Sequence, residues 1–157
     1  MKSLLFLIPL ILVFLIVGLV AYIRLAPSDP RAWHIDPTDP SLRAGEGRFL
    51  LRDGADAPSP IYGSSPEAVL VQLAEIIQAT PRTRILAGSP AEGRMTFQTR
   101  SAVMGFPDYT TVATLPEGEG GSRLVIYARL RFGQRDFYVN KTRVEGWLVA
   151  LAEAEAG

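Results

Sequence analysis

Residues 122–132 read SRLVIYARLRF, the cleanest alternation in the chain. Leu124, Ile126, Ala128, Leu130 and Phe132 fall on one face. Arg123, Val125, Tyr127, Arg129 and Arg131 fall on the other. A period of two with one apolar face is the pattern of a strand lying on a core. Three further strand candidates precede it: Thr83–Ala87, Met95–Val103 and Thr110–Leu115, the last rich in β-branched residues. The breaks between them are Gly88-Ser89-Pro90, Gly105-Phe106-Pro107-Asp108 and the Gly118–Gly121 turn. Connections this short join antiparallel neighbours.

Upstream, Ser65-Pro66-Glu67 supplies a hydroxyl cap, a proline at the first helical position and an acid in the first turn. Leu70, Leu73, Ile76 and Ile77 then keep helical spacing until Thr80-Pro81. Arg48–Arg52 reads as a short strand, and Pro58–Tyr62 as an extended piece. Downstream, Asn140 is placed to cap a last helix with the stripe Val144, Trp147, Leu148 and Leu151, and Glu153–Gly157 should fray. The order strand, helix, four strands, helix predicts an α+β domain. Its antiparallel sheet of four to five strands carries two helices on one face.

Residues 1–25 hold a different element. From Leu4 to Ile23 there is no charge, and twenty helical residues rise about 30 Å, the thickness of a bilayer's hydrocarbon core. A secretory signal has a shorter apolar run and a small-residue cleavage site. Here Ala21 follows Leu19 by two residues and Ala26 follows Arg24, so neither makes a good site. We therefore read a transmembrane anchor that contacts the membrane through Leu4 to Ile23. Residues 26–47 form a proline-rich tether, APSDPRAWHIDPTDPSLRAGEG, which could stand the domain off the bilayer or wrap along the domain's surface, and 48–157 a single domain. Trp33 is the tether's large side chain, suited either to the membrane interface or to a groove on the domain. Lys2 on one side against Arg24 and Arg31 on the other leaves the positive-inside balance nearly even. The expected location is a single-pass inner membrane protein with a periplasmic domain.

Composition removes several chemistries. Without cysteine there is no thiolate nucleophile, disulfide or Cys-type zinc site. The single histidine, His34, lies in the tether, which leaves the domain without a His-based triad. No phosphate loop of the G-x-x-x-x-G-K type occurs, no metal site or cofactor is expected, and zero net charge argues against nucleic acid. Fourteen of the sixteen basic residues are arginine, whose planar fork suits carboxylate and phosphate.

Two segments stand out: Arg100-Ser101-Ala102-Val103-Met104-Gly105-Phe106-Pro107-Asp108, and the run from Arg129 to Arg143, RLRFGQRDFYVNKTR. Together they resemble the bacterial family catalogued as domain of unknown function 1499. That family shares the G-F-P-D corner and an S-R-x-G-x-x-D-x-G-x-N-x-x-R run entering the final helix. Arg131, Gly133, Asp136, Asn140 and Arg143 match the run, whereas Leu130 and Tyr138 stand where it has Ser and Gly. The resemblance spans about 57–151. It implies no activity, and it agrees with an anchored or exported protein.

Each motif residue also has a structural reading. Gly105 and Gly133 suit turns with positive φ, and Phe106 and Pro107 complete the corner. Asp108 suits an Asx turn, Asn140 a helix cap, and Asp136 a pair with Arg143 or Arg131. The functional reading gathers Arg100, Arg129, Arg131, Asp136, Asn140 and Arg143 around an anion at the helix N-terminus. The sequence thus points to an envelope binding or interaction domain for a small anionic or lipid-like ligand, or for an envelope protein. The alternative is a hydrolase or transferase using Asp108 or Asp136 as base.

Overall fold

A computed structural model describes residues 2–156. Its domain is an α+β fold built on one six-stranded antiparallel sheet. The strands are β1 (Arg48–Leu51), β2 (Ile61–Tyr62), β3 (Thr83–Ser89), β4 (Arg94–Arg100), β5 (Pro107–Glu117) and β6 (Gly121–Leu130). Their order is β1-β6-β5-β4-β3, and β2 pairs with β6 as well. Along β6, Arg48 lies opposite Arg129, and Ile61 opposite Arg123.

Helices α3 (Pro66–Gln78) and α4 (Val139–Ala156) cover one face. Beneath them lie Phe49, Leu51, Met95, Phe97, Val112, Leu124, Ile126 and Ala128, packed against Leu70, Leu73, Ile77, Val144, Trp147 and Leu151. The register places Ile126 between Leu51 and Val112, and Val112 opposite Met95, so one alternate row of β1, β4, β5 and β6 builds the core. Ser65 caps α3 with Pro66 at its first position, as the sequence predicts.

Several boundaries differ from expectation. β4 stops at Arg100, three residues early, because Ser101 folds back on Phe106: its hydroxyl accepts from the Phe106 amide at 2.9 Å and its own amide donates to the Phe106 carbonyl at 2.9 Å. β5 starts three residues early at Pro107, the first position of a strand, where a missing N–H is tolerated. The α4 C-terminus does not fray at Glu153. The Ser64 hydroxyl donates to Glu155 at 2.6 Å, and the helix runs to Ala156, while Gly157 lies outside the described residues.

The other face of the sheet shows which of the two courses the tether takes. Thr96, Gln98, Tyr109, Thr111, Tyr127 and Arg129 all point away from the helices, yet all are buried. What covers them is the N-terminal segment. Trp33, at the end of the one-turn helix α2 (Pro30–Trp33), stacks on Tyr109 with ring centroids 3.9 Å apart and planes 15° off parallel. Ser28 meets the Tyr109 hydroxyl at 2.6 Å, and His34 Nδ1 lies 2.9 Å from Thr96 Oγ1. Gly88 accommodates the approach, because a Cβ there would stand 2.9 Å from the His34 ring. The segment is therefore a strap over the sheet, and Trp33 is a groove plug.

The helix α1 (Lys2–Leu25) leads into the strap. Its stretch Phe6–Leu25 has a mean hydropathy of 3.0 and is long enough to cross a membrane; an N-terminal signal sequence passes the same test. From Phe6 to Leu19 its side chains are exposed all round. Its C-terminal end touches the domain: Ile23 is buried, Tyr22 meets Phe132 edge-on at 6.2 Å, and Arg24 donates to the Val103 carbonyl at 2.9 Å.

Phe97 is fully buried at the centre of the core. Phe97→Ala should destabilise the full chain by about 3–5 kcal/mol, the range for emptying a buried aromatic site. Chemical denaturation in neutral detergent measures it, and a loss below about 1 kcal/mol would show that the site collapses freely or lies outside the cooperative core.

Candidate functional site

The sequence places Arg129 and Arg131 at an anion site, and the structure gives both another task. Arg129 is 7 % exposed and has no carboxylate partner among the described residues. Its guanidinium donates to the Trp33 carbonyl, to Thr111 Oγ1 at 3.3 Å and to the Tyr127 carbonyl at 3.3 Å. It also lies 5.4 Å from the Trp33 ring and 5.1 Å from the Tyr127 ring. Burial pulls it down to about 10, so it stays protonated at neutral pH, solvated by carbonyls and ring faces. Arg131 donates to the Pro27 carbonyl at 2.7 Å and to the Tyr109 hydroxyl at 3.2 Å. Both arginines hold the strap.

Asp108, Asp136, Asn140 and Arg143 form a joint between the two motif segments. Arg143 donates to Asp108 at 3.3 Å and to Asn140 Oδ1 at 2.9 Å, and the side chains of Arg143 and Asp108 are each only 14 % exposed. Asp108 thus lies in β5 facing α4 and makes no Asx turn. Burial raises its pKa, against the pull of Arg143. Asp136 pairs with neither expected arginine. Its carboxylate accepts from the Tyr138 amide at 3.1 Å and the Asn140 amide at 3.0 Å, so Asp136, not Asn140, caps α4. As bases for an enzyme, both carboxylates are already engaged by groups of this chain.

Arg100 leads to a different cleft. It donates to the Gly105 carbonyl at 2.8 Å and lines a space of about 550 Å³ with Arg24, Arg82, Arg84, Gln98 and Gly105. Arg82 precedes β3 and Arg84 lies in it; both line this cleft, and the register sets Arg84 opposite Gln98, two residues from Arg100. Arg82 Nε donates to the Arg100 carbonyl at 3.1 Å, and Arg84 Nε to Gln98 Oε1 at 2.7 Å. Both bonds use Nε and leave the terminal amino groups of the Arg82 and Arg84 guanidinium forks to the cleft. Among the described residues, no carboxylate lies within 4.0 Å of any of these four guanidinium groups. Gly105, at φ 74°, brings the corner against Arg24, and a Cβ there would stand 3.1 Å from Arg24 Cγ. Arg82 itself holds φ 61°, a conformation costing about 1 kcal/mol or more in a non-glycine residue.

A second cleft, of about 420 Å³, is lined by Arg48, Asp56, Arg135, Phe137, Tyr138 and Lys141 among others. Its charges are of both signs, and Arg135 is paired with Glu46 at 2.7 Å. Phe137 and Tyr138 both have positive φ, 50° and 66°. Gly133, at φ 96°, and Arg131 border a third cleft of about 400 Å³. Asn140, Arg143 and Arg129 line none of these three clefts, so the residues grouped by the sequence do not meet in one cavity. No group of three or more His, Asp or Glu suited to a metal occurs among the described residues.

The residues tied by the joint, Asp108 and Arg143, both lie within the span matched by a known family. The family described as "Protein of unknown function (DUF1499)" matches residues 33–151. The chain belongs to that family. The match reaches back to Trp33, so in this DUF1499 chain it takes in the end of the strap as well as the sheet and helices. No curated protein matches. Among solved structures, the chain is similar to DR_A0006 from Deinococcus radiodurans, with 12 % identity, a TM-score of 0.43, and coverage of 69 % of this chain and 99 % of that one. It is also similar to TTHA0849 from Thermus thermophilus, with 16 % identity, a TM-score of 0.30, and coverage of 71 % and 92 %.

Two outcomes follow for the strap. Arg129→Ala removes charged hydrogen bonds worth about 1.5–3 kcal/mol each, so hydrogen exchange should show lost protection at the strap amides first. Unchanged protection there would mean the strap is held by other contacts. His34 is held neutral: burial first, and then Arg94, lower its pKa. Arg94 Nε donates to its Nε2 at 3.2 Å, while Asp36 lies 4.0 Å from Arg94 and Glu92 pulls the other way. A lowered folded pKa gives stability that is complete above the unfolded value of about 6.5 and lost as pH falls through the folded value. Strap protection should therefore drop on acidification below about pH 6.5, and His34→Gln should flatten that dependence. The same slope in the variant would assign it to another group.

Proposed function

We propose that this chain is a membrane-anchored binding domain whose arginine cleft holds an oxyanion, a phosphate or carboxylate group presented at the membrane surface. The observation that carries this reading is the gathering of Arg24, Arg82, Arg84 and Arg100 on one cleft with no carboxylate beside them among the described residues. Like charges placed together without counter-ions raise the local positive potential, and an entering anion relieves it. Guanidinium groups suit the task because two parallel N–H donors match two oxygens of a phosphate or carboxylate.

The anchor belongs to the same reading. The last turn of α1 carries Ile23, which is buried, and Arg24, which lines the cleft. A helix removed as a leader after Ala26 would take both away, so retention of α1 keeps the site whole. In this reading the domain lies on the outer side of an inner membrane, in the periplasm of a bacterium, where it meets envelope ligands.

The test is titration of inorganic phosphate into the full chain in neutral detergent, followed by calorimetry. Each charged hydrogen bond is worth about 1.5–3 kcal/mol, so Arg82→Ala/Arg84→Ala should bind at least about tenfold more weakly. Arg43→Ala, whose guanidinium bonds the Pro40 and Leu42 carbonyls of its own turn, should bind as the parent does. Phosphate binding that survives the double change, or its absence in the parent, would remove the site.

A further inference from the structure

We infer that the anion taken by the arginine cleft is the headgroup phosphate of an acidic glycerophospholipid in the leaflet where α1 ends; this rests on the anchored, anion-binding reading above. Depth comes first. The apolar stretch Phe6–Leu25 has 20 residues, and at about 1.5 Å per residue it fills a hydrocarbon core of about 30 Å. Arg24 is therefore at headgroup level, and a ligand that touches Arg24 is at that level too. A long arginine in the last turn of a spanning helix already extends toward the lipid phosphates.

The rim of the cleft supplies the second argument. Arg24 is flanked by Leu25, 80 % exposed, and its guanidinium bonds the carbonyl of Val103, which is 81 % exposed. Tyr22 packs on Phe132, and Phe132 on Phe106, each pair at 6.2 Å. Tyr22, Leu25 and Val103, exposed near residues that line the basic cleft, gain nothing from a free phosphate ion. They gain contact with a ligand that carries acyl chains next to its phosphate, and aromatic rings at this depth suit the bilayer interface. Both halves of a phospholipid, anion and hydrocarbon, then have a counterpart at the end of one helix.

Fixation is the third. Arg24, Arg82, Arg84 and Arg100 are each oriented by a hydrogen bond to an uncharged acceptor: the Val103 carbonyl, the Arg100 carbonyl, Gln98 Oε1 and the Gly105 carbonyl. These bonds hold the side chains in place without neutralising them, which lowers the ordering lost on binding. The cleft volume of about 550 Å³ leaves room for a phosphate with its glycerol.

Native mass spectrometry of the full chain tests this, with dioleoylphosphatidylglycerol and dioleoylphosphatidylcholine added separately at equal concentration. One phosphatidylglycerol should be retained per chain, and phosphatidylcholine at least about tenfold less. Arg82→Ala/Arg84→Ala should lose that preference, and so should the milder Arg84→Gln, in which hydrogen exchange of the strap shows whether the fold is intact. Equal retention of the two lipids, or a preference that persists in a folded Arg84→Gln chain, would overturn the inference. Arginine-dependent binding of inorganic phosphate with no retained phosphatidylglycerol would overturn it too, leaving the anion site standing. Failure of both probes would remove the site itself.

Discussion

A guanidinium buried without a carboxylate is the constraint on which this structure turns. Arg129 is buried on the sheet face opposite the helices, near the end of β6, where isolation from water would cost several kcal/mol if its donors were left unmet. The chain meets them with the Trp33 carbonyl, the Tyr127 carbonyl, a threonine hydroxyl and two aromatic faces. Two of those partners belong to Trp33, so the cation is satisfied only while the strap is closed. The strap in turn sets where α1 meets the domain, and that meeting brings Arg24 to Arg82, Arg84 and Arg100. Pulling out Arg129 therefore disturbs a cleft it does not line.

The two family motifs read naturally as parts of the same framework. The G-F-P-D corner supplies Gly105, on which Arg24 rests, and Asp108, which Arg143 reaches from the first turns of α4. The run before α4 supplies Arg131 to the strap and Asp136 to the helix amides. One end of the sheet is thus bolted to the helix layer and to the strap by residues a short distance apart in sequence. The cleft opens beside that bolted end, at Arg100 and Gly105.

Much of the fold is legible in the residues. The alternation of SRLVIYARLRF, the Ser65-Pro66 start of α3 and the stripe Val144, Trp147, Leu151 each carry their own periodicity, and each element forms. The strap is not legible in this way. It has prolines and polar residues and no period, and the groups that hold it lie far downstream, as in the contacts of Ser28 with Tyr109, His34 with Thr96 and Trp33 with Arg129. Without it, Tyr127 and Arg129 look like a face turned to water. The same blindness hid half of the cleft. Arg82 and Arg84 flank Thr83 at the start of a strand candidate, and antiparallel pairing with Met95–Val103 would have brought them beside Arg100. Arg24, read as a flanking charge of the anchor, becomes a site residue only once the chain doubles back.

The strap also changes what kind of object the domain is with respect to a bilayer. About twenty unstructured residues would behave as a flexible leash with a root-mean-square span of roughly 25 Å, letting a domain sweep a hemisphere and choose its own orientation. Here Ser28, Trp33 and His34 pin that segment to the sheet, and Arg24 and Ile23 at the end of α1 are already part of the domain's surface. On the anchored reading, the domain has no swing radius. It turns only as the helix turns, stays at one height, and always offers the same side to the leaflet. Its search for a ligand is then two-dimensional, carried out by lateral diffusion of the whole protein rather than by reach.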